Sequence, residues 1–289
     1  MKLFYILSTA LLYAAQGLAQ TDSVATPNPD STVDKASLTL GTSYSNNANY
    51  YGQKAIESVP YAAVAATYKL KCGLYFTGLA YKLLHDSTHA VSAASAGAGL
   101  NFKLIKHLSA DVSYSHTFYP ALSPLLQAGN PDNASASLLL ENWLSSKINL
   151  DYAFGKTADY FVTAGTAKQI TLGHITSKDL ITITPAVDIV AGTQHFYQTY
   201  LTEKKLRDSV LHALLGPVIG QPSTEEPTTK TTVSTQFNLL SYNFKCPLAY
   251  NRAHYLVEVA YQLSVLSSKA QSNAGKANQF ISASFYYQF

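Results

Sequence analysis

The stretch QFISASFYYQF, residues 279–289, alternates bulky rings with small polar groups. A β-strand sends successive side chains to opposite faces. One face here carries Ile281, Ala283, Phe285, Tyr287 and Phe289, and the other carries Ser282, Ser284, Tyr286 and Gln288. Such a strand rests its apolar face either on a protein core or on lipid. The rest of the chain decides between the two.

The same period of two recurs along the sequence. Leu38, Leu40, Thr42 and Tyr44 oppose Ser37, Thr39, Gly41 and Ser43. Ala62, Val64, Ala66, Tyr68 and Leu70 form the next apolar face. Leu108, Ala110, Val112, Tyr114 and Phe118 oppose Asp111, Ser113, Ser115 and Thr117. Ile181, Ile183, Pro185, Val187 and Ile189 oppose Thr182, Thr184, Ala186 and Asp188. Tyr255, Val257, Val259, Tyr261 and Leu263 oppose Glu258, Ala260, Gln262 and Ser264. Runs of this length exceed the usual strand of about five or six residues and match the roughly 9–11 of a tilted transmembrane strand.

Composition points the same way. Only 13% of the 289 residues are charged, against about 25% in soluble domains. Tyrosine accounts for 21 residues. A net charge of +3 is too small to imply a nucleic-acid partner.

The N-terminus reads as an export signal. Lys2 precedes the apolar run LFYILSTALLYAA, and small residues allow cleavage after Ala19. Residues 20–35 are polar and aperiodic, as expected of a flexible periplasmic leader. No later segment has the ~20 apolar residues of a spanning helix. An exported chain of this pattern is therefore soluble or a closed barrel.

Connections separate these alternatives. Lys71-Cys72-Gly73, Ile105-Lys106-His107 and 249–253 are short, whereas 46–58, 85–89, 120–133, 202–232 and 267–278 are polar and mostly long. Outer-membrane barrels place short turns inside and long loops outside. Keeping this alternation requires splitting SASLLLENWLSSKINLDYAFG at Ser145-Ser146-Lys147, with outer and inner connections at 156–160 and 173–179. The expectation is an all-β, transmembrane, antiparallel up-and-down barrel over 36–289, with twelve strands and ten as the fallback. Their approximate spans are 36–45, 60–71, 74–84, 91–104, 108–119, 135–144, 148–155, 160–172, 180–200, 234–247, 254–266 and 278–289. Within the longest loop, 206–220 has a helical apolar pattern that Gly216-Pro217 ends. That segment either caps the barrel mouth or lies free on the surface.

With the apolar set facing lipid, the lumen-lining candidates are Lys69, Lys103, Asp111, Glu141, Asp151, Asp188, Lys245 and Glu258. Lysine on the lipid face at mid-membrane would cost roughly 2–4 kcal/mol. Pattern alone does not separate the faces of the third, sixth and eighth strands. Lys103 and Asp111 flank one turn and are placed to pair. Mixed signs imply an internal salt-bridge network or a narrow pore of weak charge preference. Tyr44, Tyr50, Tyr51, Tyr61, Tyr75, Phe118, Tyr119, Tyr160, Phe196, Tyr197, Tyr200, Tyr255, Tyr286 and Tyr287 lie near strand ends, as aromatic girdles do.

No catalytic set, metal site or cofactor is expected. His85 and His89 are spaced i, i+4 but sit in a short loop without a supporting Glu. His116 lies beside serines, but no partner motif accompanies it, and a nucleophile needs a base within reach. His195 sits near the outer end of its strand. Cys72 and Cys246 fall on different arcs of the wall, too far apart for a disulfide.

The signal peptide, the long dyad strands and the terminal QFISASFYYQF resemble those of bacterial outer-membrane β-barrel proteins. The order of AGTQHFYQTY before a long loop and FNLLSYNFKCPL after it looks like porin-like barrels of Bacteroidota-type bacteria. The resemblance implies that Phe285, Tyr287 and Phe289 form the signal read by the barrel-assembly machinery. It also implies outer-membrane lipid as the surroundings. The expected function is a passive channel for small solutes. The alternative is a non-conducting structural or adhesive barrel, and an outer-membrane hydrolase is a third reading.

Overall fold

The computed structural model describes residues 36–215, 236–270 and 276–289. The expected signal peptide and leader, and the segment 216–220, lie outside the described residues. The strands are β1 (Ser37–Ser45), β2 (Tyr61–Lys69), β3 (Leu74–Leu83), β4 (Ala93–Ile105), β5 (Leu108–Phe118), β6 (Asp132–Glu141) and β7 (Ser145–Phe154). They continue with β8 (Ala158–Ala167), β9 (Ile170–Gly173), β10 (Asp179–Ile183), β11 (Ala186–Gly192), β12 (Asn238–Arg252), β13 (Tyr255–Leu266) and β14 (Ala277–Gln288). A 3-10 turn spans Leu126–Gly129, and one helix, α1, spans His195–Leu215.

These segments make twelve barrel strands. β8 and β9 are one strand, and β10 and β11 another, because each pair keeps a common register against its neighbours. The interruptions have a covalent cause. Lys168 N–H donates to Pro185 O, and Thr184 N–H donates to Pro247 O. Neither proline has an N–H to return the bond, so the ladder opens at both places. The wall closes where β1 pairs with β14, from Thr39 opposite Gln288 to Ser45 opposite Ser282. Every neighbouring pair is antiparallel.

Several boundaries differ from the sequence expectation. The turn after β6 is Asn142–Leu144, not Ser145–Lys147, so β6 and β7 both begin three residues earlier. β12 runs through Pro247 to Arg252 and turns at Ala253, which adopts φ 28°. The strand expected over 180–200 ends at Gly192, and 195–200 belong to α1. Of the apolar face expected for the helix, Leu206 is exposed, and the side chains of Val210, Leu211 and Leu214 lie outside the described ones.

Alternation sorts the wall into two faces. Val64, Phe76, Val112, Ile148, Val187, Val259, Ile281 and Phe285 point outward and are 39–58% exposed. Such a continuous apolar exterior is stable in hydrocarbon, not in water. With the closed ladder, it places this protein in the bacterial outer membrane. Cys72 and Cys246 are free and exposed, Cys72 in a short turn and Cys246 on the lipid-facing side of β12.

The girdle expectation holds only in part. Tyr44, Phe118, Tyr160 and Tyr287 face outward and are exposed. Tyr61, Tyr75 and Tyr286 are on the lumen parity and are buried. Tyr50 and Tyr51 are buried in the folded-in β1–β2 loop, and Phe196, Tyr197 and Tyr200 are buried on α1. The molecule's main apolar core therefore lies inside the outer mouth of the barrel.

Candidate functional site: a plugged lumen

The outer mouth is filled by three connections: the β1–β2 loop, the segment before β6 and α1. Their Tyr50, Tyr51, Leu125, Leu126, Phe196 and Tyr200 pack with the inward wall residues Phe161, Val190 and Leu240. Tyr51 stacks on Phe161 with ring centroids 3.7 Å apart and planes at 13°. Because β8 lies far around the wall from β1 and β2, this contact carries the loop across the lumen. Tyr50 meets Phe196 edge-on at 4.7 Å.

Polar bonds hold the loop there. Ser241 Oγ donates to Tyr51 O at 2.8 Å, and Asn278 Nδ2 donates to Gly52 O at 2.9 Å. Asn49 Nδ2 donates to Gln262 Oε1 at 3.3 Å. Tyr51 itself takes a left-handed φ of 52°, a strained conformation for a bulky residue that the surrounding contacts enforce. Burial raises the phenol of Tyr50 well above its ordinary pKa.

Asp159 fastens the helix. Its carboxylate is fully buried and accepts the N–H groups of His195 at 2.7 Å and Phe196 at 2.8 Å. It also accepts the Thr193 hydroxyl at 2.7 Å and the Asn130 amide at 2.8 Å. A carboxylate at a helix N-terminus satisfies orphan N–H groups and opposes the helix dipole. Here the cap comes from a distant strand. Lys156 pairs with Glu203, and Arg207 reaches Glu57 at 3.2 Å. The Ile56 N–H donates to the Tyr200 hydroxyl at 3.1 Å.

Below the plug, the mid-height wall carries small side chains. Ser43, Ala65, Thr77, Ser95, Gly97, Ser113, Ser137, Thr163, Ala260 and Ser282 all face inward and are half-buried. Of the eight sequence candidates, Lys69, Asp111, Asp151, Asp188, Lys245 and Glu258 stand on the inner face and are buried. Lys103 and Glu141 have the same parity but lie at the end of the short turns, Lys103 exposed and Glu141 half-buried. Lys245 Nζ and Asp188 Oδ2 form an ion pair at 2.6 Å. Asp151 accepts the Asn149 amide at 2.5 Å. Asp111 stands opposite Asn101 and accepts the Tyr75 hydroxyl at 3.0 Å, while Lys103 stands opposite Ser109. Lys147, on the inner face of β7, lies within electrostatic reach of Asp111; pattern reading passed it over. Phe285 and Tyr287 face lipid, and Phe289 N–H bonds to Leu38 O at 2.9 Å.

The histidines take other roles. His116 Nδ1 lies 2.8 Å from Asp132 Oδ1, and Tyr114 donates to the same oxygen at 2.5 Å. This cluster is on the outer wall, flanked by Ala96 and Ala134, neither of which can act as a nucleophile. In the β3–β4 loop, Asp86 accepts the Thr88 hydroxyl at 2.6 Å and lies 3.0 Å from His89 Nδ1. Among the described residues, no three His, Cys, Asp or Glu side chains converge as metal ligands.

No protein-family model and no curated protein matches this chain. Among solved structures it is similar to the KdgM porin, at TM-score 0.48 and 7% identity, over 87% of this chain and 99% of that one. It is also similar to a bacterial polysaccharide outer membrane secretin, at TM-score 0.46 and 9% identity, covering 89% and 99%. A third is LpxR from Salmonella typhimurium, at TM-score 0.45 and 8% identity, covering 87% and 99%. Likenesses this remote say nothing about what the present barrel transports or catalyses.

Proposed function

We propose that the protein is a gated passive channel for small polar solutes. The observation that carries this reading is a lumen lined by hydroxyls and charges beneath a plug built only from connecting segments. A wall that merely needed filling would place large side chains at mid-height, as small barrels do. Here serine, threonine, alanine and glycine occupy those positions. Asp159 fastens the start of α1, so releasing that end would open the outer mouth beside α1 without breaking the wall. The outward Phe285 and Tyr287 also support an assembly signal displayed before β14 closes on β1.

A non-conducting structural barrel is the second reading, favoured by the extent of the buried aromatic cluster in the mouth. Liposome swelling with small neutral sugars separates the two. Under the channel reading, Asp159→Ala speeds swelling relative to the unaltered protein. Equal and negligible swelling for both, with the variant folded, supports the structural barrel.

A further inference from the structure

The lumen carboxylates are not equivalent. Asp188 has Lys245, Asp151 has the Asn149 amide, and Asp159 caps α1. Asp111 has the Tyr75 hydroxyl, with Lys69 and Lys147 in electrostatic reach. Glu258 differs. It is only 2% exposed. Asp111 Oδ2 and Asp151 Oδ1 are also buried without a bond, but those acids have a partner on their other oxygen, whereas among the described residues Glu258 has none on either. Among the described residues it forms no ion pair.

Its neighbours are Ser284, Ala249, Tyr286 and the buried Leu256, two residues before it on the same face. Directly opposite on β14 is Ser284, whose hydroxyl is buried, and on β12 is Ala249. Tyr286 lies within electrostatic reach of Glu258, and its phenol is close to Ser284. The Tyr286 ring lies over Gly41, where an added methyl would come within 2.6 Å of it. Among the described residues, no lysine, arginine or histidine stands within electrostatic reach of Glu258. A carboxyl on β13 and a hydroxyl and a phenol on β14 thus bring three oxygens together on the inner wall. A carboxyl buried this way either keeps its proton or takes a positive charge beside it.

We propose that Glu258, Ser284 and Tyr286 form a binding site for a monovalent cation, either an alkali ion or the ammonium head of a small amine. The site would make the lumen prefer cations. That preference rests on the channel reading, whereas the site itself does not.

Terbium is a suitable probe, because tyrosine sensitises its luminescence and Tyr286 is beside the carboxylate. Purified full-length protein in detergent should give a saturable signal. Glu258→Gln should weaken terbium binding by about tenfold or more, as loss of a full charge at short range requires. Ser284→Ala should weaken it less. Potassium or methylammonium chloride should displace the probe, and the more effective of the two identifies the natural cation. Retained resistance to heat on unheated-gel electrophoresis shows that each variant is folded. An unchanged terbium signal in folded Glu258→Gln, or displacement by neither cation, overturns the site.

A second measurement separates this inference from the channel reading. In the Asp159→Ala background, the reversal potential in a potassium chloride gradient should report cation preference, and adding Glu258→Gln should bring it close to zero. A current whose preference ignores Glu258 overturns the selectivity while leaving the channel. Glu258-dependent terbium binding without any current leaves the site and overturns the channel.

Discussion

Tyr75 on β3 donates its hydroxyl to Asp111 Oδ1 on β5 at 3.0 Å, passing over the intervening strand β4. The crossing is possible because Gly99 lies beneath the ring, where a methyl group would overlap it. The ring lies along the wall instead of across the lumen, and it satisfies one oxygen of a buried acid. A glycine, a tyrosine and an aspartate on three strands thus act as one unit along the inner half of the wall.

Gly99→Ala should lift Tyr75 from the wall and break this bond. Leaving a buried acceptor unsatisfied costs about 1–3 kcal/mol. Urea unfolding in detergent should show a loss in that range, and Tyr75→Phe should show a comparable loss without the steric clash. If Gly99→Ala proves neutral, Tyr75 has another way to lie and the unit is not coupled.

The Lys245–Asp188 pair is buried, with side chains 6% and 12% exposed. Removing one partner strands a charge, so Lys245→Met should destabilise by roughly 3–5 kcal/mol. Replacing both partners with Met and Leu should recover most of that loss. A double-mutant cycle by denaturant titration tests the coupling.

The β3–β4 loop should be sensitive to acid. The Thr88 hydroxyl, with Ser92 and the N–H groups of Thr88 and His89, holds the Asp86 carboxyl well below the usual carboxylate range against a smaller opposing effect of burial. Because the folded value is depressed, its stabilisation is fully present above the ordinary carboxylate pKa of about 4. It is lost as pH falls from there through the folded value. Hydrogen exchange of residues 84–92 should therefore rise on acidification below about pH 4, and Asp86→Asn should show the faster exchange already at pH 7.

The lipid-facing half of the fold is legible in the sequence because hydrocarbon allows few exceptions: Val64, Val112, Val257 and Ile281 recur at every second position. The inner half is harder to read. β3, LYFTGLAYKL, carries apolar residues on both faces, so pattern could not tell the outward Phe76 from the inward Tyr75 and Tyr81. Helix α1 starts eleven residues before the expected 206, because its cap, Asp159, comes from another strand. No local window contains that signal. Pro247 resembles a strand end, yet it sits mid-strand where β12 meets the break between β10 and β11. Of the lumen charges, the acids and lysines are visible from parity, but which acid lacks a partner depends on the register between strands.

The central claim is that α1 and its neighbours close the outer mouth. Thr199 on α1 packs against Gly129 of the 3-10 turn, where an added Cβ would lie 3.1 Å from the threonine Cβ, near the spacing of about 3.8 Å that a disulfide needs. Cysteines at these two positions, in protein lacking Cys72 and Cys246 and carrying Asp159→Ala, make the plug lockable. Single-channel recording should show current under reducing conditions and its loss after oxidation. A current indifferent to the redox state, or none in either, would contradict a plug that gates this lumen.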